Sequence, residues 1–210
     1  MKLRTLPACW LLALVSLVPP ASAAHLKGNI PASRLGDKTY TCPDGGFELT
    51  LPPLITPGAK AEERQINPGE MGVFFADDFG NMYYVMRTDN TQLNYDLDKV
   101  AATYTINENL REKQIVPTAR GSELRLAGVI PEGSPIVEEV KAGRKTTQKK
   151  LPLHQSMSLF IDGSYIYEVL AGVTATHHET DSELLARAKD RLQAFLDGLR
   201  IKVAAAPAAN

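Results

Sequence analysis

The sequence predicts an α+β fold: an antiparallel β-sheet with hairpins, flanked by two or three amphipathic helices including a C-terminal helix. Three observations predict it. The turn pair Asp162-Gly163 separates two strand-like runs, SMSLFI at 156–161 and SYIYEVLAGV at 164–173. The cluster Asp78-Phe79-Gly80-Asn81 likewise divides MGVFFADDFGNMYYVMR, residues 71–87, into two β-rich halves. Finally, Leu185, Ala188, Leu192, Phe195, Leu196 and Leu199 share one face of a helix spanning 181–199, with Arg187, Lys189, Asp190, Arg191 and Asp197 on the remainder. Strands and helices do not alternate in a βαβ rhythm, which argues against a parallel sheet.

Residues 1–23 form a signal peptide: a basic start, MKLRT, an apolar run, then small residues at alternate positions. The run is shorter than the ~20 residues that span a bilayer, so no transmembrane segment is expected after the signal is removed. Cleavage after Ala23 fits Ala21 and Ala23; cleavage after Ala24 fits Ser22 and Ala24 and leaves His25 first. Residues 24–46 are rich in Gly and Pro without periodicity and predict a flexible leader. A single α+β domain then covers 47–202. FELTL at 47–51 alternates as a half-buried strand, and the charged, turn-rich stretch 57–70 predicts a loop with a helical turn in it. Leu93, Leu97, Val100, Ala101 and Tyr104 predict a helix over 92–104, and a second short helix includes Leu110 and ends before Pro117. ELRLAGVI at 123–130 and SPIVEEVKA at 134–142 predict strands, and 203–210 a disordered tail.

The chain of 210 residues carries 23 basic and 24 acidic side chains. Loss of Lys2 and Arg4 with the signal leaves 21 against 24, a formal charge of −3, and no global affinity for polyanions such as nucleic acid follows. A mature chain of about 187 residues closes a core without help from a metal or a disulfide. Cys42 is the one cysteine left after processing, and burial is its simplest fate.

ATHHETD, residues 175–181, holds the densest set of metal-ligand types: His177, His178, Glu179 and Asp181, with His154 as the residue elsewhere that completes a Zn or Cu site. Adjacent histidines in an extended strand point to opposite faces, however. Thr180 and Glu183 have capping-box spacing, and Asp181 complements the positive end of a helix, so the segment reads first as a strand-to-helix joint. His25 offers copper an imidazole and an α-amine only under the second cleavage. Asp77-Asp78 reads as turn chemistry, without EF-hand spacing. Lys141, Arg144, Lys145, Lys149 and Lys150 suit weak contact with an anionic surface, or simply keep a hairpin tip at Gly143 soluble. A Gly-x-Ser-x-Gly elbow, a CxxC pair and a phosphate loop are all absent, and nothing marks Ser158 or Ser164 as activated.

The opening FELTLP, the hairpin after a charged loop, the strand DGSYIYEVLAGV and the final helix with Phe195 near its close resemble, in order and hydrophobic pattern over 45–202, the PsbP-like exported proteins and the DcrB-like envelope proteins. The resemblance implies an antiparallel sheet flanked by helices and a non-catalytic accessory or binding role. It carries over no site residue. The expectation is an exported protein, periplasmic or secreted, that binds a protein or envelope component of unknown identity and needs no cofactor. The alternative is a Zn- or Cu-binding envelope protein using His177, His178 and His154.

Overall fold

The computed structural model describes residues 30, 39–52, 60–65, 69–77, 79–134, 137–141, 144–175 and 178–202, with backbone alone for 137–141 and 144–149. The expected signal peptide, most of the expected leader and the expected tail lie outside the described residues.

Seven antiparallel strands form the main sheet: β3 (Lys60–Arg64), β4 (Glu70–Ala76), β5 (Met82–Asp89), β6 (Leu110–Thr118), β7 (Gly121–Ile130), β10 (Leu153–Asp162) and β11 (Tyr165–Val173). Their spatial order is β3-β4-β5-β11-β10-β7-β6, so sequence neighbours pair as hairpins and the long strands β10 and β11 lie inside. Two smaller sheets accompany it, β1 (Thr39–Thr41) with β2 (Phe47–Thr50) and β12 (Leu199–Ile201), and β8 (Val137–Lys141) with β9 (Arg144–Lys149). Among the described residues there are two helices, α1 (Leu97–Ala102) and the C-terminal α2 (Asp181–Gly198). Neither is long and apolar enough to cross a membrane.

Both faces of the sheet are covered. Tyr83, Val85, Val169 and Ala171 point to the side closed by α2 and the β1-β2-β12 sheet, where Phe195 stacks on Tyr83 with ring centroids 4.9 Å apart. Their neighbours Tyr84, Met86 and Leu170 point to the other side, toward Val100 of α1. α2 buries Leu184, Leu185, Ala188, Leu192, Phe195 and Leu196, and each large apolar side chain among them contributes roughly 2 kcal/mol. Its start is the predicted capping box: the Glu183 amide donates to Thr180 Oγ1 at 3.3 Å and the Thr180 amide to Glu183 Oε2 at 2.8 Å.

Both predicted hairpin turns form. Gly163 takes φ +56°, which glycine adopts without strain. Asp77 accepts from the amides of Phe79 and Asn81 at 2.9 Å each and from Asn81 Nδ2 at 2.7 Å, so it organises the β4–β5 turn; Asp78 lies outside the described residues.

Four expectations are corrected. The stretch 57–70 contains strand β3, because the exposed edge of β4 offers Lys60–Arg64 a full backbone ladder that outweighs its charged composition. The expected short helix around Leu110 is strand β6: LREKQ has helix-forming residues, but pairing with β7 decides the conformation. The helix over 92–104 is confined to Leu97–Ala102, because the Asn90 side chain closes a turn on Tyr95 through both its Oδ1 and Nδ2, and Asp96 caps the helix on the Lys99 amide at 2.7 Å. The end of the expected leader belongs to the domain: Tyr40 and Cys42 are buried beside Phe47, and β1 pairs with β2.

Candidate functional site

Of the histidines singled out in the sequence, His154 and His178 are among the described residues and His177 is not. His154 lies in β10 between Val129 of β7 and Val173 of β11, and is buried. Its Nε2–H donates to Asp181 Oδ1 at 2.9 Å, while Arg111 Nη1 donates to Asp181 Oδ2 at 2.8 Å. These two bonds, from His154 first and then Arg111, hold the Asp181 carboxyl below its ordinary value. His154 Nδ1 is buried without a partner among the described residues. His178 is exposed in the joint before α2, and His177 lies outside the described residues. Glu179 takes Arg187 Nη1 at 2.5 Å, and Arg187 Nη2 donates to the Thr174 carbonyl at 2.6 Å. Each acid of the joint thus ties α2 to the sheet or caps it. Among the described residues, no three His, Cys, Asp or Glu groups converge to hold a metal ion.

A different cluster lies further along the helix-covered face. Glu123 of β7 is fully buried. Ser158 of β10 donates to its Oε2 at 2.8 Å, and Arg125 Nη2 forms an ion pair with the same oxygen at 2.6 Å. Thr118 Oγ1 and Arg120 Nη2 donate to Oε1, each at 3.0 Å. Burial opposes the charge of Glu123, but the bonds and charges of Ser158, Arg125, Thr118 and Arg120 outweigh it and keep the carboxyl below its ordinary value. Arg120 is further engaged by the Leu196 carbonyl at 3.0 Å and by the Phe160 ring, 5.4 Å away. Arg125 instead lines an open groove of about 330 Å³, with Gln114 of β6, Ser156 of β10 and Lys189, Asp190 and Gln193 of α2 around it. Lys189 Nζ bridges from α2 to both carboxylate oxygens of Glu112 on β6, at 2.7 and 2.8 Å.

The opposite face holds a second perturbed acid. Glu168 of β11 accepts from the Tyr84 hydroxyl. Burial pushes its carboxyl up to about 7, against the lowering effect of the Tyr84 bond and with a further push from Glu70. Burial likewise raises the Tyr104 hydroxyl, with Glu168 adding to the effect.

Sequence reading passed over Glu123 and Arg125. In ELRL they alternate with Leu124 and Leu126 and read as the solvent face of a half-buried strand. Their signal was indirect: Ser156 and Ser158 interrupt a central apolar strand, and buried serines require partners.

The chain is therefore defined as an α+β protein whose antiparallel sheet is covered on both faces and opens at one side into a polar groove. No family model matches it, and no curated protein matches it. Among solved structures it is similar to the solution structure of cyanobacterial PsbP (CyanoP) from Synechocystis sp. PCC 6803, with 11% identity over 85% of this chain and 100% of that one and a TM-score of 0.48. A crystal structure from Bacteroides thetaiotaomicron VPI-5482 is also similar, with 10% identity over 80% of this chain and a TM-score of 0.41; the match spans 49% of that chain.

Proposed function

We propose that this chain is an exported, non-catalytic binding or accessory protein, periplasmic or secreted, that holds a small polar ligand in the groove between α2 and strands β6 and β7. One observation carries the reading. A fully buried carboxylate, Glu123, with Ser158, Thr118 and Arg120 on it, fixes an arginine at a groove that stays open. Burying a carboxylate is costly unless it is paired and hydrogen-bonded, and a supporting shell of this kind is what positions a binding group accurately. A core that needed only stability is served as well by apolar residues at these positions. Binding here requires no cofactor. The basic hairpin of β8 and β9, with Lys141, Arg144, Lys145, Lys149 and Lys150, is a separate place for weak contact with an anionic envelope surface.

The test is an amide chemical-shift titration of the mature chain with a panel of small polar metabolites. Saturable shifts at Gln114, Lys189 and Gln193 are expected, and they vanish in Gln193→Trp, whose side chain fills the groove. Binding that leaves those amides unmoved, or that survives the substitution, places the ligand elsewhere and defeats the proposal.

A further inference from the structure

We infer that the small molecule this groove takes is an uncharged polyol; the inference rests on the binding reading above. The lining brings together two cations, Arg125 and Lys189, and two carboxylates, Glu112 and Asp190, so the groove carries no net charge. Both cations are already engaged. Arg125 Nη2 pairs with the buried Glu123 at 2.6 Å, and its Nε is buried as well. Lys189 Nζ donates to both carboxylate oxygens of Glu112, at 2.7 and 2.8 Å. An ion of either sign entering here meets its own sign as often as the opposite one, and an anion pairs with Arg125 or Lys189 only by competing with a carboxylate of the protein. It gives up hydration without a matching return. A hydroxyl faces no such exchange, because it accepts from one neighbour and donates to another. Its hydrogen bonds to ionised groups are also stronger than those between neutral groups.

The neutral part of the lining suits the same class. Gln114 of β6 brings an amide with donors and an acceptor. Gln193 of α2 spends its Nε2 on Asp197 at 2.7 Å and keeps its carbonyl oxygen. Ser156 is buried, and its hydroxyl donates to the Leu126 carbonyl at 3.5 Å, which leaves its oxygen to accept. Donors and acceptors are therefore both on offer, as a run of hydroxyl groups requires. Among the described residues no aromatic ring lines the groove, so the stacking by which nucleobases are held is missing. A volume of about 330 Å³ sits at the small end of ligand sites, which favours a short polyol over an oligosaccharide.

The experiment titrates the mature chain at neutral pH with three six-carbon probes that differ in charge, following the Gln114 and Gln193 amides: sorbitol, which is neutral, gluconate, its anionic counterpart, and glucamine, its cationic one. Sorbitol is expected to saturate at a concentration at least ten times lower than either ion. Two substitutions at half-exposed positions then unbalance the groove in opposite directions. Lys189→Gln leaves an excess negative charge and is expected to improve glucamine at least threefold relative to sorbitol. Glu112→Gln leaves an excess positive charge and is expected to improve gluconate at least threefold relative to sorbitol. Gluconate or glucamine binding to the wild type as tightly as sorbitol, or an order of preference that neither substitution changes, overturns the polyol inference and leaves the binding reading standing. Failure of all three probes, and of the wider metabolite panel, to move either amide overturns both.

Discussion

Replacing Glu123 by glutamine keeps the shape of the side chain but removes its charge and turns one acceptor oxygen into a donor. One oxygen remains to accept, so one of the two pairs of partners, Ser158 with Arg125 or Thr118 with Arg120, loses its acceptor, and both arginines lose the charge they face. Breaking a buried ion pair from one side costs about 3–5 kcal/mol. Here the arginine side chains are 30% and 20% exposed and recover part of their hydration, so about 3 kcal/mol is expected. For a domain of this size that lowers Tm by roughly 6–12 °C. The pH dependence gives a sharper signature. The folded carboxyl lies below its ordinary value of 4.5, so the folded state binds that proton less readily than the unfolded state. Its contribution is complete above about pH 4.5 and is lost as pH falls through the lower folded value. Urea unfolding at pH 7 and at a series of values down to pH 3 therefore shows the largest gap between wild type and Glu123→Gln at neutral pH, shrinking in acid. Ser158→Ala, which removes one bond to the charge, costs about 1.5 kcal/mol at pH 7. A Glu123→Gln protein within 1 kcal/mol of wild type, or a gap that does not change with pH, refutes the view that this carboxylate organises the cluster.

Thr180→Ala removes the cap of α2 and is expected to cost about 1 kcal/mol in urea unfolding, with Glu183→Ala costing less; a neutral Thr180→Ala contradicts the capping account. Glu168 behaves opposite to Glu123, because its folded carboxyl is raised to about 7. Its contribution is complete below the ordinary glutamate value and is lost as pH rises toward 7, by about 2–3 kcal/mol. Glu168→Gln therefore removes that part of the pH dependence and unfolds at higher urea than wild type at pH 8; an unchanged profile rules the effect out. A Cβ at Gly128 meets the Asn109 carbonyl oxygen at 1.9 Å, beside the irregularity in β6 between Leu110 and Glu112. Gly128→Ala is expected to cost at least 2 kcal/mol as backbone shifts to relieve the contact, measured by thermal unfolding against a Ser122→Ala control at an exposed position of the same strand.

Local chemistry made several elements legible in advance. The β4–β5 and β10–β11 hairpins followed from turn residues flanked by β-formers, and α2 from its apolar stripe and capping box, because each signal lies within a few residues of what it specifies. The capping of α2 by Thr180 and Glu183 was legible for the same reason. Elements that failed to show are those whose conformation comes from a distant partner. Lys60–Arg64 and Leu110–Thr118 have no strand pattern of their own, and become strands because β4 and β7 present unpaired edges to them. Tyr40 and Cys42 sit in a Gly- and Pro-punctuated stretch that looks like a leader until the β2 edge and the Phe47 side chain receive them.

The sequence by itself determined the α+β class, the two tight hairpins, and the position and start of the final helix. Tertiary structure alone decided where the chemistry sits. Periodicity reports whether residues alternate, but not whether the polar half of an alternation meets water. Glu123 and Arg125 read as a solvent face, and became a buried acid and its groove-lining partner only because β6, β10 and α2 close around β7. The burial of two of the histidines was decided the same way: strand pairing places His154 inside the sheet, while His178 is exposed before α2.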